Sequence, residues 1–310
     1  MRPPIYLLLI TVFSSLVTDA QIEFTGDSLL VTAKLKLGEK RYYSVKEESK
    51  IESSPIIPVR AEHEYEVSFT VADTTNGTTI LYECNTVATQ NKNWVAESIK
   101  AHISNGIRLK YTIRPTGIYI DTQTLEQARR VSSFRLDSII QSSVELNLTD
   151  RSLVFSLRDS LQNIRGVEQL IKPMLIFNSV FNRPVFTINK TFVSGYRINI
   201  LNEIRLPGVI VQQLTKKRKP ANTVQLMLDF IGNKESAAQF FLPLFLETYK
   251  EVTGKNYRNP SDLPPDMKNN SETKFLINIE GWPFQEINNR VIIFYNERFV
   301  SKTIMKLKET

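Results

Sequence analysis

Alternation of apolar and polar residues recurs along this chain in short runs broken by turn residues. A period of two marks the chain up to Thr122 as mostly an antiparallel meander. Tyr65, Val67, Phe69 and Val71 alternate up to the turn Asp73-Thr-Thr-Asn-Gly77, and the run 78–87 answers as a partner strand, so 64–87 reads as a hairpin. Leu29, Val31, Ala33, Leu35 and Leu37 form an earlier strand that stops at Gly38, and 41–45 continues after that turn. Residues 49–62 hold Pro55 and Pro58 and read as loop. Another hairpin pairs 107–113 with 117–122 around Arg114-Pro-Thr116.

The middle of the chain changes period. Leu125, Ala128, Val131, Leu136, Ile139 and Ile140 keep helical spacing, with Asp121 placed to cap the start. Leu153, Leu157, Leu161 and Ile164 form a second helical stripe, and a third helix over about 167–181 contains Pro173. Strands return from Pro184, and Val224, Leu226, Leu228 and Phe230 alternate cleanly. A fourth helix is expected over 234–252 with Gly254 as its stop, then loop over 255–272. The expected end is a meander of 273–280, 290–300 and 303–307, turning at Gly281-Trp-Pro283.

Strands, helices, strands, helix, strands is an α+β order, with an antiparallel sheet and helices segregated to one face. Residues 21–310 are expected to form a single domain. Halves 21–183 and 184–310, each beginning with strands, fit the same order, although no residue-level repeat supports a duplication.

Residues 1–20 carry Arg2, an apolar run from Ile5 to Val17, and Thr18-Asp-Ala20, which is the pattern of a cleaved secretory signal. The run is too short to span a bilayer, and no cysteine near the exit offers a lipid-attachment site. The expected product begins at Gln21, lies in the periplasm or outside the cell, and has no transmembrane segment. Cys84 is the only cysteine, so no internal disulfide can form. That absence favours a bacterial source, in which the sequons at Asn76, Asn147, Asn189 and Asn269 are chance tripeptides. The formal net charge of +7 is interspersed rather than clustered, which argues against nucleic acid as a partner.

Catalytic and metal motifs are missing. His63, in Glu62-His-Glu-Tyr-Glu66, and His102 lack companions at zinc-ligand spacing, so neither a metal site nor a cofactor is expected. Cys84 reads as a small buried residue rather than a nucleophile. Neither a G-x-S-x-G elbow, a P-loop nor a dinucleotide fingerprint occurs. Ile118-Tyr-Ile-Asp-Thr-Gln123 approaches the Asp-Thr-Gly motif of pepsin-like proteases, but Gln123 stands where glycine is required. Lys216-Lys-Arg-Lys219 reads as a solvated loop. Scattered carboxylates keep a hydrolase open as an alternative function.

The positive signal is apolar excess on two helices. In 234–252, Phe240, Phe241, Leu244, Phe245 and Tyr249 share a face that Leu242 and Leu246 widen, and Pro243 interrupts the backbone bonding. Phe177 and Phe181 belong to a comparable set on the third helix. A helix apolar over most of its circumference needs cover on two sides, supplied by a sheet and other helices in a packed core, or by a sheet and an apolar ligand in a lidded cavity. These seven aromatic and leucine positions are the candidate ligand-binding lid.

With its Ala20-Gln21 exit, Leu35-Lys-Leu-Gly-Glu39, Tyr111-Thr-Ile-Arg-Pro-Thr-Gly-Ile-Tyr119 and Glu280-Gly-Trp-Pro283, the chain resembles a secreted family of Bacteroidota. Its expected architecture is similar to the lipoprotein carriers LolA and LolB, a curved half-open sheet lidded by helices. That resemblance implies a non-catalytic carrier of a lipid or other apolar ligand. Departures are the greater length of this chain and the missing carrier signatures. An envelope protein that docks on sheet edges is the remaining partner class.

Overall fold

The computed structural model describes residues 22–25, 28–31, 35–53, 59–86, 102–114, 117–142, 158–159, 161–162, 186–187, 191–198, 205–217, 223–232, 254, 268–277, 282–294 and 297–308. The expected signal segment and the helices expected over 167–181 and 234–252 lie outside them.

Fourteen strands are described, all in antiparallel pairs. β1 (Ile22–Thr25), β2 (Ser28–Val31) and β8 (Phe186–Thr187) make a small three-stranded sheet. The other eleven form one sheet. A first block runs β3 (Lys40–Ser53), β4 (Val59–Asp73), β5 (Thr78–Thr86), β6 (Arg108–Arg114) and β7 (Gly117–Ile120). A second block runs β9 (Thr191–Ile198), β10 (Arg205–Lys217), β11 (Thr223–Gly232), β12 (Lys268–Ile277), β13 (Pro283–Phe294) and β14 (Glu297–Leu307). The order is β7-β6-β5-β4-β3-β14-β13-β12-β11-β10-β9, so each block is a meander and β3–β14 is the seam between them. β7 and β9 are the two edges, and the sheet is open.

The first block follows its alternation. Tyr43, Val45, Val67, Phe69, Val71, Ile80, Tyr82, Cys84, Leu109 and Tyr111 face one way and are buried. This is called the inner face below. Rings dominate it: Phe69 lies 5.5 Å from Tyr43 and 5.5 Å from Tyr82, and Trp282 joins them at 6.4 Å. The β4–β5 turn requires glycine at Gly77. Its φ is +104°, and a Cβ there would sit 2.6 Å from the Ile113 carbonyl oxygen.

The helix expected after Asp121 is α1 (Thr122–Ser142). Asp121 caps it, with Oδ1 accepting from the Thr124 N–H at 2.8 Å. Leu125, Ala128, Leu136 and Ile139 join the same buried cluster as Leu109 and Tyr111. Ser132 locks the helix down by donating to the Ile103 carbonyl at 3.1 Å, both groups buried. The stripe differs from its expectation at Val131, which is 39% exposed. Of the second expected helix, 158–159 and 161–162 are described as helical, with Leu161 fully buried.

Four boundaries differ from the sequence reading. Of the strand expected through Leu37, β2 is described to Val31, and Leu37 lies in a turn. The loop expected from residue 49 is strand to Ser53, and strand resumes at Val59. Lys46–Ser53 is too polar to signal a strand, yet β14 pairs with all of it and β4 with Lys46–Ile51, so most of its backbone bonds are satisfied whatever its side chains are. β12 begins at Lys268 inside the other expected loop for the same reason, held between β11 and β13. The apolar run 290–300 belongs to two strands, with β13 described to Phe294 and β14 from Glu297.

Candidate ligand-binding face

Antiparallel register carries the inner face of the first block across the seam into the second. Each row of directly paired residues can therefore be followed from strand to strand. Val45 pairs with Met305, Met305 with Glu286, Glu286 with Phe275, Phe275 with Leu226 and Leu226 with Leu214. All six are buried. Two residues along the strands, the next row reads Glu47, Thr303, Asn288, Thr273, Leu228 and Gln212. Here only Glu47 is buried, and the other five are half-buried. The third row reads Ser301, Arg290, Ser271 and Phe230, with the last two buried again. The fourth pairs Asn269 with Gly232 and Gly232 with Gly208.

The second row is thus a polar, half-accessible strip between two closed rows. Asn288 Nδ2 donates to Thr273 Oγ1 at 3.2 Å, so the middle of the strip is internally bonded. At the seam, Tyr65 donates its hydroxyl to Glu47 Oε1 at 3.3 Å. Burial, reinforced by the Glu47 charge, pushes the Tyr65 phenol far above its ordinary range. His63 occupies the β4 position paired with Glu47.

Beyond the strip, Arg290 donates to Asn269 Oδ1 from both Nε (3.3 Å) and Nη2 (3.1 Å). Asn269 is 1% exposed, and its Nδ2 has no acceptor among the described residues. Phe230 leans over the glycine pair beside it. A Cβ on Gly208 would meet Phe230 Cε2 at 2.7 Å, so the ring can take that place only because the side chain is missing.

The far end of the face is closed by a charge network. Glu39 Oε1 accepts from Arg41 Nε (3.1 Å), Arg41 Nη2 (2.8 Å) and Trp282 Nε1 (2.8 Å). Trp282 is fully buried and ties the β12–β13 connection to the start of β3.

The other sites considered from sequence fall as follows. Cys84 is 1% exposed, and burial raises its thiol to about 11, the environment of an inert packing residue. Asp121 is the helix cap, and the Thr124 N–H holds its carboxyl below the usual range. His102 lies in the single helical turn before β6, and partial burial lowers its imidazole. Asn76 is exposed in the β4–β5 turn, whereas Asn269 is buried and closed to modification. Lys216 and Lys217 belong to β10 rather than to a loop. Phe177, Phe181, Phe240, Phe241, Leu244, Phe245 and Tyr249 lie outside the described residues.

Two further groupings lie on the opposite face. A cleft of about 350 Å³ is lined by Asp73, Asn76, Thr79, Lys110, Thr112, Arg114, Tyr119, Ile120 and Asp121. Its carboxylates are already engaged: Asp73 accepts from Thr75, Asp121 from Thr124, and Lys110 lowers both electrostatically. Asp229 and Glu272 pair across β11 and β12. Burial raises Asp229, with Glu272 adding to the shift, while a hydrogen bond from Lys274 lowers Glu272. Among the described residues no group of three or more His, Cys, Asp or Glu is placed to hold a metal ion. No described helix is long and apolar enough to cross a membrane.

No protein-family model matches the chain. No curated protein matches it either. Among solved structures, the chain is similar to a LolA superfamily protein from Nitrosomonas europaea, at 8% identity, covering 94% of this chain and 90% of that one, with a TM-score of 0.17. A likeness of that size carries no inference about fold or ligand.

Proposed function

We propose that this chain is a non-catalytic binding protein or carrier for a lipid or other apolar small molecule. Its ligand would lie on the inner face of β10–β14. The observation that supports this reading is the half-buried strip Gln212, Leu228, Thr273, Asn288 and Thr303, bounded by the closed rows of Leu214, Leu226 and Phe275 on one side and Phe230 on the other. A sheet face meant only as core would be closed along its whole length.

The lid would come from Phe177, Phe181, Phe240, Phe241, Leu244, Phe245 and Tyr249, with the helices packed on this one face of a half-open barrel. The connection 233–267 leaves β11 and returns to β12 at the paired residues Gly232 and Asn269, beside the strip. Residues 21–310 act as one domain in this reading, exported to the bacterial envelope after cleavage at Ala20.

Native mass spectrometry of the protein purified from its own envelope is the primary test. A co-purifying lipid supports the carrier, and a stoichiometric protein partner instead would favour an interaction module. With a fluorescent fatty-acid probe, at least one of Phe241→Ala and Phe245→Ala weakens binding while leaving the melting temperature nearly intact. If wild type binds no apolar probe and both substitutions are strongly destabilising, the helix is plain core and the carrier reading fails. The rival hydrolase has Asp229 and Glu272 as its described carboxylate pair. Turnover of any substrate that Asp229→Asn abolishes would favour it.

A further inference from the structure

A carrier of apolar molecules has no use for the polar cleft of about 350 Å³ on the opposite face, between the β4–β5 turn, β6, β7 and the start of α1. We infer that this cleft is a second binding site, that its ligand is a neutral pyranose sugar, and that Tyr119 is the platform on which a sugar ring stacks. The inference goes beyond the carrier reading and does not depend on it.

Strand register assembles the site. Thr112 on β6 pairs with Thr79 on one side and with Tyr119 on the other, so two hydroxyls and a phenol ring share one row across three strands. Thr79 Oγ1 and Thr112 Oγ1 lie 3.0 Å apart. That bond uses one of their two hydroxyl protons and leaves the second for another acceptor. The Arg114 guanidinium lies over the Tyr119 ring, 5.2 Å from its centroid, and the ring is still 49% exposed. A stacked cation steadies such a ring. The exposed remainder is an apolar surface with a polar tip, which suits a partner that is itself apolar on its faces and polar at its rim.

The charges at the cleft decide among ligand classes. Of the residues that line it, Asp73 and Asp121 balance Lys110 and Arg114. Lys110 acts electrostatically on both carboxylates. An ion of either sign would therefore meet like charge as well as opposite charge there. An apolar molecule would leave these groups covered without partners. Sugar hydroxyls both donate and accept, so they can meet a carboxylate, a cation or the threonine pair in turn. Thr75 and Thr124 hold the two carboxylates in place before any ligand arrives, which lowers the ordering cost of binding. The volume lies at the small end of ligand pockets, room for a short saccharide.

The test is isothermal titration of the full mature chain with maltose, cellobiose and N,N′-diacetylchitobiose, with glucose 6-phosphate and inorganic phosphate as charged comparators. Wild type is expected to bind at least one of the three disaccharides, with an affinity that salt leaves unchanged. Tyr119→Ala should weaken that binding at least about 10-fold, and Tyr119→Phe should keep most of it. Neither substitution should alter binding of the apolar probe N-phenyl-1-naphthylamine, which reports on the other face. Failure of all three disaccharides to bind wild type overturns the inference. So does binding of the phosphates in preference to the disaccharides, weakened by salt, which would mark an anion site. An unchanged disaccharide affinity in Tyr119→Ala overturns it as well. The wild-type affinities and their salt dependence decide the matter even if Tyr119→Ala does not fold.

Discussion

The two blocks of the large sheet share one face but use it differently. In the first block, row after row is sealed: Tyr43, Val67 and Cys84, then Phe69, Tyr82 and Leu109, with α1 adding Leu125, Ala128, Leu136 and Ile139 to the same cluster. In the second block, closed rows flank a strip of Gln212, Thr273, Asn288 and Thr303 that stays half-accessible. Continuity of hydrogen bonding across the seam does not make a continuous core. The first block is scaffold by this comparison, and the second carries whatever adaptability the fold has.

The comparison predicts the largest cost in the first block. Phe69 is fully buried among Tyr43, Tyr82 and Trp282, so Phe69→Ala should cost about 3–5 kcal/mol. Leu228→Ala in the half-buried strip should cost markedly less, because fewer neighbours lose contacts. Urea unfolding of both proteins measures the gap, and equal costs would erase the distinction between the blocks.

Next in size is the tie at the end of the seam. Glu39→Gln keeps the shape but removes the charge that Arg41 and Trp282 share, with an expected loss of about 1.5–3 kcal/mol. Trp282 is buried with its indole N–H bonded to that carboxylate, so in a Trp94→Phe protein its emission should shift on unfolding at the same denaturant concentration as the circular dichroism signal. A separate, earlier Trp282 transition would mean that the two blocks unfold independently.

A smaller effect is expected at the cap of α1. Asp121→Ala removes the bond to the Thr124 N–H and should cost about 1 kcal/mol. The same bond depresses the Asp121 carboxyl below its unfolded value. Its contribution is therefore fully present above the ordinary carboxylate range and is lost as pH falls through the lowered folded value. Glu126, held at about 2 by Arg129 and Arg130, acts in the same direction at lower pH. Stability of Asp121→Ala should approach that of wild type in acid, and a difference unchanged from pH 7 to pH 2 would contradict the cap.

An effect of comparable size is expected at Cys84. Its thiol is buried and raised to about 11, so a thiol-specific reagent should label it only on unfolding. Cys84→Ser should lose about 1–2 kcal/mol. Rapid labelling of the native protein would show that the first block is less closed than its rows indicate.

Legibility from sequence follows the same division. Tyr65–Val71 and Val224–Phe230 announce their strands because apolar residues alternate with polar ones, and Asp121 announces its helix because cap and stripe coincide. β13 does the opposite. Its inner positions are Glu286, Asn288 and Arg290, while Ile287, Val291 and Ile293 point to the other face. Periodicity read alone would have turned this strand over, since a shift of one residue exchanges the two faces. The polar strip was hidden for a related reason. Thr273, Asn288 and Thr303 each look like ordinary strand surface, and only register across β12, β13 and β14 aligns them. Asn269 and Arg290, 21 positions apart, carried no local signal at all. A run of polar residues at alternate positions in an otherwise apolar strand was the one available cue.

The β3–β14 seam has a consequence in time. Its partners come from opposite ends of the described chain, Val45 against Met305 and Tyr43 against Leu307, and no local hairpin can stand in for them. Closing so long a loop before any reward is gained places this sheet among slow folders. Until β14 arrives, β3 and β13 each present an open row of backbone donors and acceptors, a template for joining a second molecule. Delivery of the last described strand is therefore the step that turns two separate meanders into one sheet. A chaperone that masks strand edges would have its greatest influence in the interval before that step.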